Sequence, residues 1–224
     1  MRQSGMTILL PHGFDGAGPE HSTSRVERIL QLVNHQGHSN NVPDCRDVNM
    51  QVVQPTSAAN YFHILRRQMK RDYRKPLIVV TPKVGLRSAL YNSTIKDFEG
   101  RYKPIITNQD YNTGVNVDKS KIDKIVFTSG QSFMNLMNLE NFNKNFVNIR
   151  IEELAPFPIN EIKNYLNSGF KKDVKLVFVQ EESLNSGVFY YCLPYLQKLA
   201  KECGFTKYSE IEYVGRPAQE GFLR

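Results

Sequence analysis

The chain has 224 residues, of which 40% are hydrophobic and 11% aromatic, and its formal net charge is +7. That composition excludes a disordered or low-complexity protein and provides for one large core or two smaller ones. The longest clean apolar runs, such as 76–80, have strand length and fall far short of the ~20 residues a membrane span needs.

In chain order, Thr7 to Leu10 reads as a short strand ending at Pro11. A glycine-rich loop from His12 to Glu20 follows, then a helix from about Ser22 to Val33, with Val26, Ile29, Leu30 and Val33 at helical spacing and Ser22 or Thr23 as cap. The polar stretch from His35 to Asp47 has no periodicity and reads as a surface insertion. A second unit repeats the pattern: Met50 to Val53 as strand, Ser57 to about Met69 as helix with Ala58, Tyr61, Phe62 and Leu65 on one face, and Leu77 to Thr81 as a β-branched buried strand. A mostly parallel sheet is expected from such runs.

The irregular section from Lys83 to about Ile122 serves as a domain connection, with the boundary placed near Asn108. Beyond it, strands are expected at Ile125–Ser129, Val147–Ile151, Leu176–Gln180 and Ile211–Val214. Helices are expected at Ser132–Leu139, Ile159–Leu166 and Phe189–Cys203. Four strands with three intervening helices predict a doubly wound α/β domain, whose ligands sit at the carboxyl ends of the strands. Those ends are Thr81, Ser129, Ile151 and Gln180.

Charge and cysteines narrow the function further. Between Asn60 and Arg87 lie eight cations against Asp72 alone, which accounts for the whole excess of +7. This local cluster, centred on Arg66, Arg67, Lys70 and Arg71, suits the cation-favouring end of a helix, and no nucleic-acid reader motif accompanies it. Cys45, Cys192 and Cys203 lack CxxC spacing, so neither a disulfide framework nor a zinc site is expected. The opening residues match neither a signal peptide nor an organelle presequence.

Chemistry is expected first in the loop from Pro11 to Ser22, where His12 and His21 stand with Asp15 and Glu20 among three glycines. A helix N-terminus there favours an anionic substrate and a neutral, proton-exchanging histidine. A glycine-rich turn carrying surface histidines fits the spacing equally well. Two further clusters start at strand ends: Arg150 to Pro158, and Val179 to Gly187 with the paired acids Glu181 and Glu182. Structural capping and subunit contacts are the plainer reading of both.

These segments together resemble the E1 component of the 2-oxoglutarate dehydrogenase complex. The carriers are Leu9-Leu10-Pro11-His12-Gly13, Gly16, Gly18-Pro19-Glu20-His21-Ser22, Arg25, Glu27-Arg28 and Leu30-Gln31-Leu32. The likeness continues through Tyr61 to Gln68, Lys75-Pro76-Leu77-Ile78, Thr81-Pro82-Lys83, Arg150 to Leu154, Pro156-Phe157-Pro158, Gln180-Glu181-Glu182, Asn185 and Gly215-Arg216-Pro217. It covers nearly the whole chain apart from the insertions.

The resemblance implies the end of a transketolase-like pyrimidine-binding domain over residues 1–108, connection included. A doubly wound, mostly parallel transketolase C-terminal domain, truncated at its end, would then occupy 109–224. It implies an enzyme that uses thiamine diphosphate and Mg2+, acts on 2-oxoglutarate as a homodimer, and passes a succinyl group to the lipoyl arm of E2 in a complex with E3. The protein groups would orient substrate and move protons. The histidine of the family's Pro-Glu-His-Ser motif belongs to the active site and maps onto His21, with His12 as companion. Neither nucleic acid nor a membrane span is expected. The compartment would be the mitochondrial matrix in a eukaryote and the cytoplasm in a bacterium.

Departures from the family pattern accompany the match. The Gly-Asp-Gly motif for magnesium and diphosphate is absent, as is the glutamate that activates the aminopyrimidine, so the segment is expected to be inactive in isolation. Val84-Gly85 and Ser88 replace the usual Ser-Leu and His, Gln131 replaces a lysine, and Ser186 replaces a glutamine. A 2-oxoadipate-specific E1 paralogue and a non-catalytic docking or regulatory module are the alternative readings.

Overall fold

The computed structural model describes residues 3–13, 23–34, 46–107, 118–137 and 146–220. Two mixed, mostly parallel sheets carry the fold, as the sequence predicts. The first has the order β1-β3-β2-β7, from Thr7–Pro11 (β1), Leu77–Thr81 (β3), Gln51–Val53 (β2) and Glu153–Ala155 (β7). β1 and β2 run parallel to β3, with Thr7 opposite Leu77 and Val53 opposite Val79, and β7 closes the edge antiparallel to β2. The second sheet has the order β4-β6-β5-β8-β9, from Ile105–Thr107 (β4), Phe146–Ile151 (β6), Lys124–Thr128 (β5), Lys175–Ser183 (β8) and Glu212–Arg216 (β9). Only β4 in that sheet is antiparallel to its neighbour.

Among the described residues five α-helices connect these strands: α1 (Val26–Gln31), α2 (Ala58–Lys70), α3 (Ser132–Met137), α4 (Ile159–Leu166) and α5 (Phe189–Glu202). One apolar core runs from the first sheet into the second. Val26, Leu30, Val52 and Val80 belong to the same buried cluster as Ile125, Phe127, Ile149, Phe178 and Leu196. No helix among the described residues is long and apolar enough to cross a membrane.

Several sequence expectations shift. The first helix starts at Val26 and not near Ser22, because Arg25 sits in the left-handed region at φ 55°, ψ 52°, which a helix cannot pass through. Thr23 accepts a hydrogen bond from the Arg25 amide at 3.3 Å, while Ser22 lies outside the described residues. The face of α2 is rotated from the expected one: Ala58 and Phe62 are exposed, and Ala59, Asn60, His63, Ile64 and Gln68 are buried. Polar partners decide this. The Asn60 side chain donates to the Lys103 carbonyl at 3.0 Å and accepts from the Lys103 amide at 2.9 Å, and Gln68 donates to the Lys75 carbonyl at 2.7 Å.

β4 and β7 were not expected, since three-residue strands carry too little alternation to read. The basic cluster divides. Arg66 and Lys70 are exposed, whereas Arg67 forms a two-pronged ion pair with Glu153 over the Tyr102 ring and Arg71 donates to Gln51. Of the insertion expected from His35 to Asp47, residues 35–45 lie outside the described residues, and Arg46 and Asp47 form a turn.

Candidate functional site

β1 ends at Pro11, and the chain leaves it with the His12 amide donating to the Thr81 carbonyl at 2.8 Å, so the histidine stands at the carboxyl end of the first sheet. Its ring is buried, and so is Glu182, which arrives from the carboxyl end of β8 in the other sheet. His12 Nε2 lies 2.5 Å from Glu182 Oε1. On the other side of the ring, the Ser24 amide donates to Nδ1 at 3.3 Å and the Ser24 hydroxyl lies at the same distance. The tautomer that satisfies both contacts carries its proton on Nε2 and leaves Nδ1 as acceptor.

Burial alone lowers the proton affinity of this imidazole. The hydrogen bond to Glu182 and the negative charges of Glu182, Glu181 and Glu27 raise it by more, so His12 titrates above the ordinary histidine value. One ligand atom from each of His12, Glu181 and Glu182 lies within 4.8 Å of the others. The direct Nε2–Oε1 contact means that His12 and Glu182 already satisfy one another.

The acidic turn is built by Gln180. Its Oε1 accepts the amides of Val188 and Phe189 at 3.1 and 3.0 Å, which caps α5, and its Nε2 donates to the carbonyls of Ser183 and Ser186 at 3.1 and 2.9 Å. Tyr213 on β9 donates to the Glu182 carbonyl at 2.9 Å. Gly187 turns the chain at φ +73° and donates its amide to Glu27 Oε2 of α1 at 3.3 Å.

A second buried polar group ties the sheets together. Glu152 accepts from the Thr56 amide at 2.8 Å, from Asn60 at 2.9 Å and from the Thr56 hydroxyl, which in turn accepts from Arg150 at 2.7 Å. Burial pushes the Glu152 carboxyl up, and Arg150, Thr56 and Asn60 only partly offset it. Ser129 hydrogen-bonds to Gln54 and lies 3.0 Å from the Ile151 carbonyl. The Arg150 and Glu152 cluster thus serves as structural wiring. An adjacent cleft of about 300 Å³, lined by Pro55, Tyr61, Thr81, Pro82, Leu86 and Tyr91, opens beside the first turn of α2.

Of the two histidines singled out in the sequence, His12 is placed in this site and His21 lies outside the described residues. Glu182 was visible as one of a pair of acids, but nothing local joined it to a histidine 170 positions away. Ser24 carried no signal, and Glu27 stood only among the residues of the family resemblance.

Comparison with known proteins adds the family. Residues 92–221 match the model described as 2-oxoglutarate dehydrogenase C-terminal, and residues 1–88 match the transketolase pyrimidine binding domain. Over 97% of its length the chain is 39% identical to a mitochondrial 2-oxoglutarate dehydrogenase of Dictyostelium discoideum. It is 40% identical to a probable 2-oxoadipate dehydrogenase complex component E1 homolog of the same organism and to a 2-oxoglutarate dehydrogenase E1 component of Brucella ovis. The aligned part makes up 22%, 24% and 21% of those three proteins, so the chain spans between a fifth and a quarter of their length.

Proposed function

The chain belongs to the 2-oxoglutarate dehydrogenase E1 family, with a transketolase pyrimidine-binding segment followed by the family's C-terminal domain, and from that premise we propose that it forms part of an enzyme that decarboxylates 2-oxoglutarate and passes the succinyl group to the lipoyl arm of E2. The observation that carries this reading is a likeness of 39–40% over nearly the whole chain to E1 proteins. Supporting it, His12 lies buried at the strand ends of one sheet and reaches a carboxylate from the other, as a proton-handling site requires. His12 and His21 are the residues proposed to contact substrate or move its protons.

The pyrimidine-binding segment places the chain in a family that depends on thiamine diphosphate. When bound, that cofactor would supply the decarboxylation chemistry, leaving the protein groups to orient substrate and move protons. The described residues do not fit its diphosphate: the charges acting on His12 at the strand ends come from Glu181, Glu182 and Glu27, which repel an anion. The anchoring groups are therefore proposed to come from outside the described residues, and the isolated chain to be inactive. Homodimerisation, E2 and E3 as partners, and a mitochondrial or bacterial cytoplasmic site belong to the same proposal.

A second reading has its own support, since the 2-oxoadipate homolog is as similar as the 2-oxoglutarate enzymes. The two substrates differ by one methylene, a distinction worth about 1–3 kcal/mol in a pocket. Steady-state rates of a complete E1 carrying these residues, measured on both acids, decide between them: a higher kcat/KM for 2-oxoadipate would overturn the first assignment. Absence of turnover on either acid, with thiamine diphosphate, Mg2+ and E2 present, would leave the docking role.

A further inference from the structure

We propose that Glu182 is a positioning residue for His12: it holds the proton on Nε2 and leaves Nδ1, the nitrogen facing Ser24, as the atom at which this histidine gains and loses a proton. The inference deepens the role given to His12 above and rests on that role only for its catalytic consequence.

Four observations converge on it. First, the contact between His12 Nε2 and Glu182 Oε1 is short, at 2.5 Å, and both side chains are buried, so water cannot substitute for either partner. Second, the Nδ1 side is already set to accept, because the Ser24 amide points its N–H at that nitrogen. A proton on Nδ1 would have to displace that amide contact, and the half-buried Ser24 hydroxyl at 3.3 Å is within reach to accept it. The ring therefore has one fixed end and one exchanging end.

Third, Glu182 is itself held in place. Gln180 spans the turn from β8 to α5 with both ends of its amide, and Tyr213 fixes the Glu182 carbonyl. Fourth, the same turn makes a second bond across the gap between the sheets, from the Gly187 amide to Glu27 on α1. The turn from Gln180 to Gly187 thus clamps both His12 and the first turn of α1. Among the described residues, the charged groups that act on the imidazole are Glu181 and Glu182 from β8 and Glu27 from α1, all acidic, and together they favour the imidazolium.

The test is imidazole 1H–15N correlation spectroscopy of the 224-residue chain, in which nitrogen shifts report both tautomer and titration. His12 is expected to be protonated on Nε2 when neutral and to titrate above 6.5. In Glu182→Gln the midpoint is expected to fall by roughly one pH unit or more, Glu182→Asp should restore part of the shift, and Glu181→Gln should have a smaller effect. A neutral Nδ1–H tautomer in the native chain would overturn the proposal even if the variants failed to fold. An unchanged midpoint in a folded Glu182→Gln would overturn it as well. In a complete E1 carrying these residues, the acid limb of the kcat/KM profile should move down by the same interval. If the resonance moves while that limb stays, Glu182 still positions His12, and what fails is the placing of His12 in the reaction.

Discussion

At His12 two opposing effects decide the charge. Desolvation disfavours the imidazolium, and the Glu182 hydrogen bond with the surrounding acids outweighs it, so the folded pKa lies above the unfolded value of 6.5. A group raised in this way contributes stability that is fully present below about pH 6.5 and is lost as the pH rises through the folded value. The loss of melting temperature caused by Glu182→Gln is therefore expected to be larger at about pH 6 than at about pH 9. Equal losses at the two pH values would mean that the pair acts by packing alone. Cys192 shows the opposite case, a thiol with no charged partner strong enough to offset burial, and its pKa is pushed far above the ordinary thiol range. In the native chain it should resist a maleimide at neutral pH and react only on unfolding. The sequence made both ends of the His12–Glu182 pair visible, one as a histidine after a strand and the other in a run of acids. Their meeting was not legible, because a contact between strand ends of two different sheets leaves no periodic trace.

Helix α2 and the turn after β8 show which elements local chemistry specifies. Ser57 caps α2 by accepting from the Asn60 amide at 3.2 Å, so Ser57→Ala should cost about 1 kcal/mol in chemical denaturation. The capping role of Ser57 comes from the structure, whereas the start of α2 near Ser57 and the whole of β3 could be read from residue type and order. The buried face of α2 could not, because Asn60, His63 and Gln68 look like surface residues until the carbonyls and carboxylate they meet are known. Glycine offers a matched comparison between two turns. Gly187 and Gly204 both have left-handed backbone, at φ +73° and +79°, but a Cβ on Gly187 would fall 2.8 Å from Gln180 Oε1 and 2.9 Å from Glu182 Cβ, whereas one on Gly204 meets nothing within 4 Å. Gly204→Ala should therefore cost only the backbone strain, roughly 1–2 kcal/mol. Gly187→Ala should cost more and should also move the His12 resonances, since the turn that carries Glu182 must shift. Equal costs would show that the turn yields without strain.

Across the whole molecule, the two sheets are joined by a shared apolar core, by β7 crossing from the second half of the chain into the first sheet, and by the Glu152 network. The core followed from the hydrophobic runs, whereas the crossing depended on Glu153 and Ala155 finding β2, in a stretch that reads as loop. Glu152 is a hydrogen-bond acceptor first and a charge second: burial raises its pKa despite Arg150 nearby, so the ionised form gains less from the cation than it loses in solvation. Glu152→Gln keeps an oxygen for the Thr56 amide and Asn60, and it should cost no more than about 1–2 kcal/mol. Glu152→Ala leaves those donors and the buried Arg150 without the carboxylate and should cost roughly 3–5 kcal/mol. Denaturant midpoints for the two variants settle the point. If Gln proves as damaging as Ala, the charge holds the sheets together, and the reading of Glu152 as chiefly an acceptor is wrong.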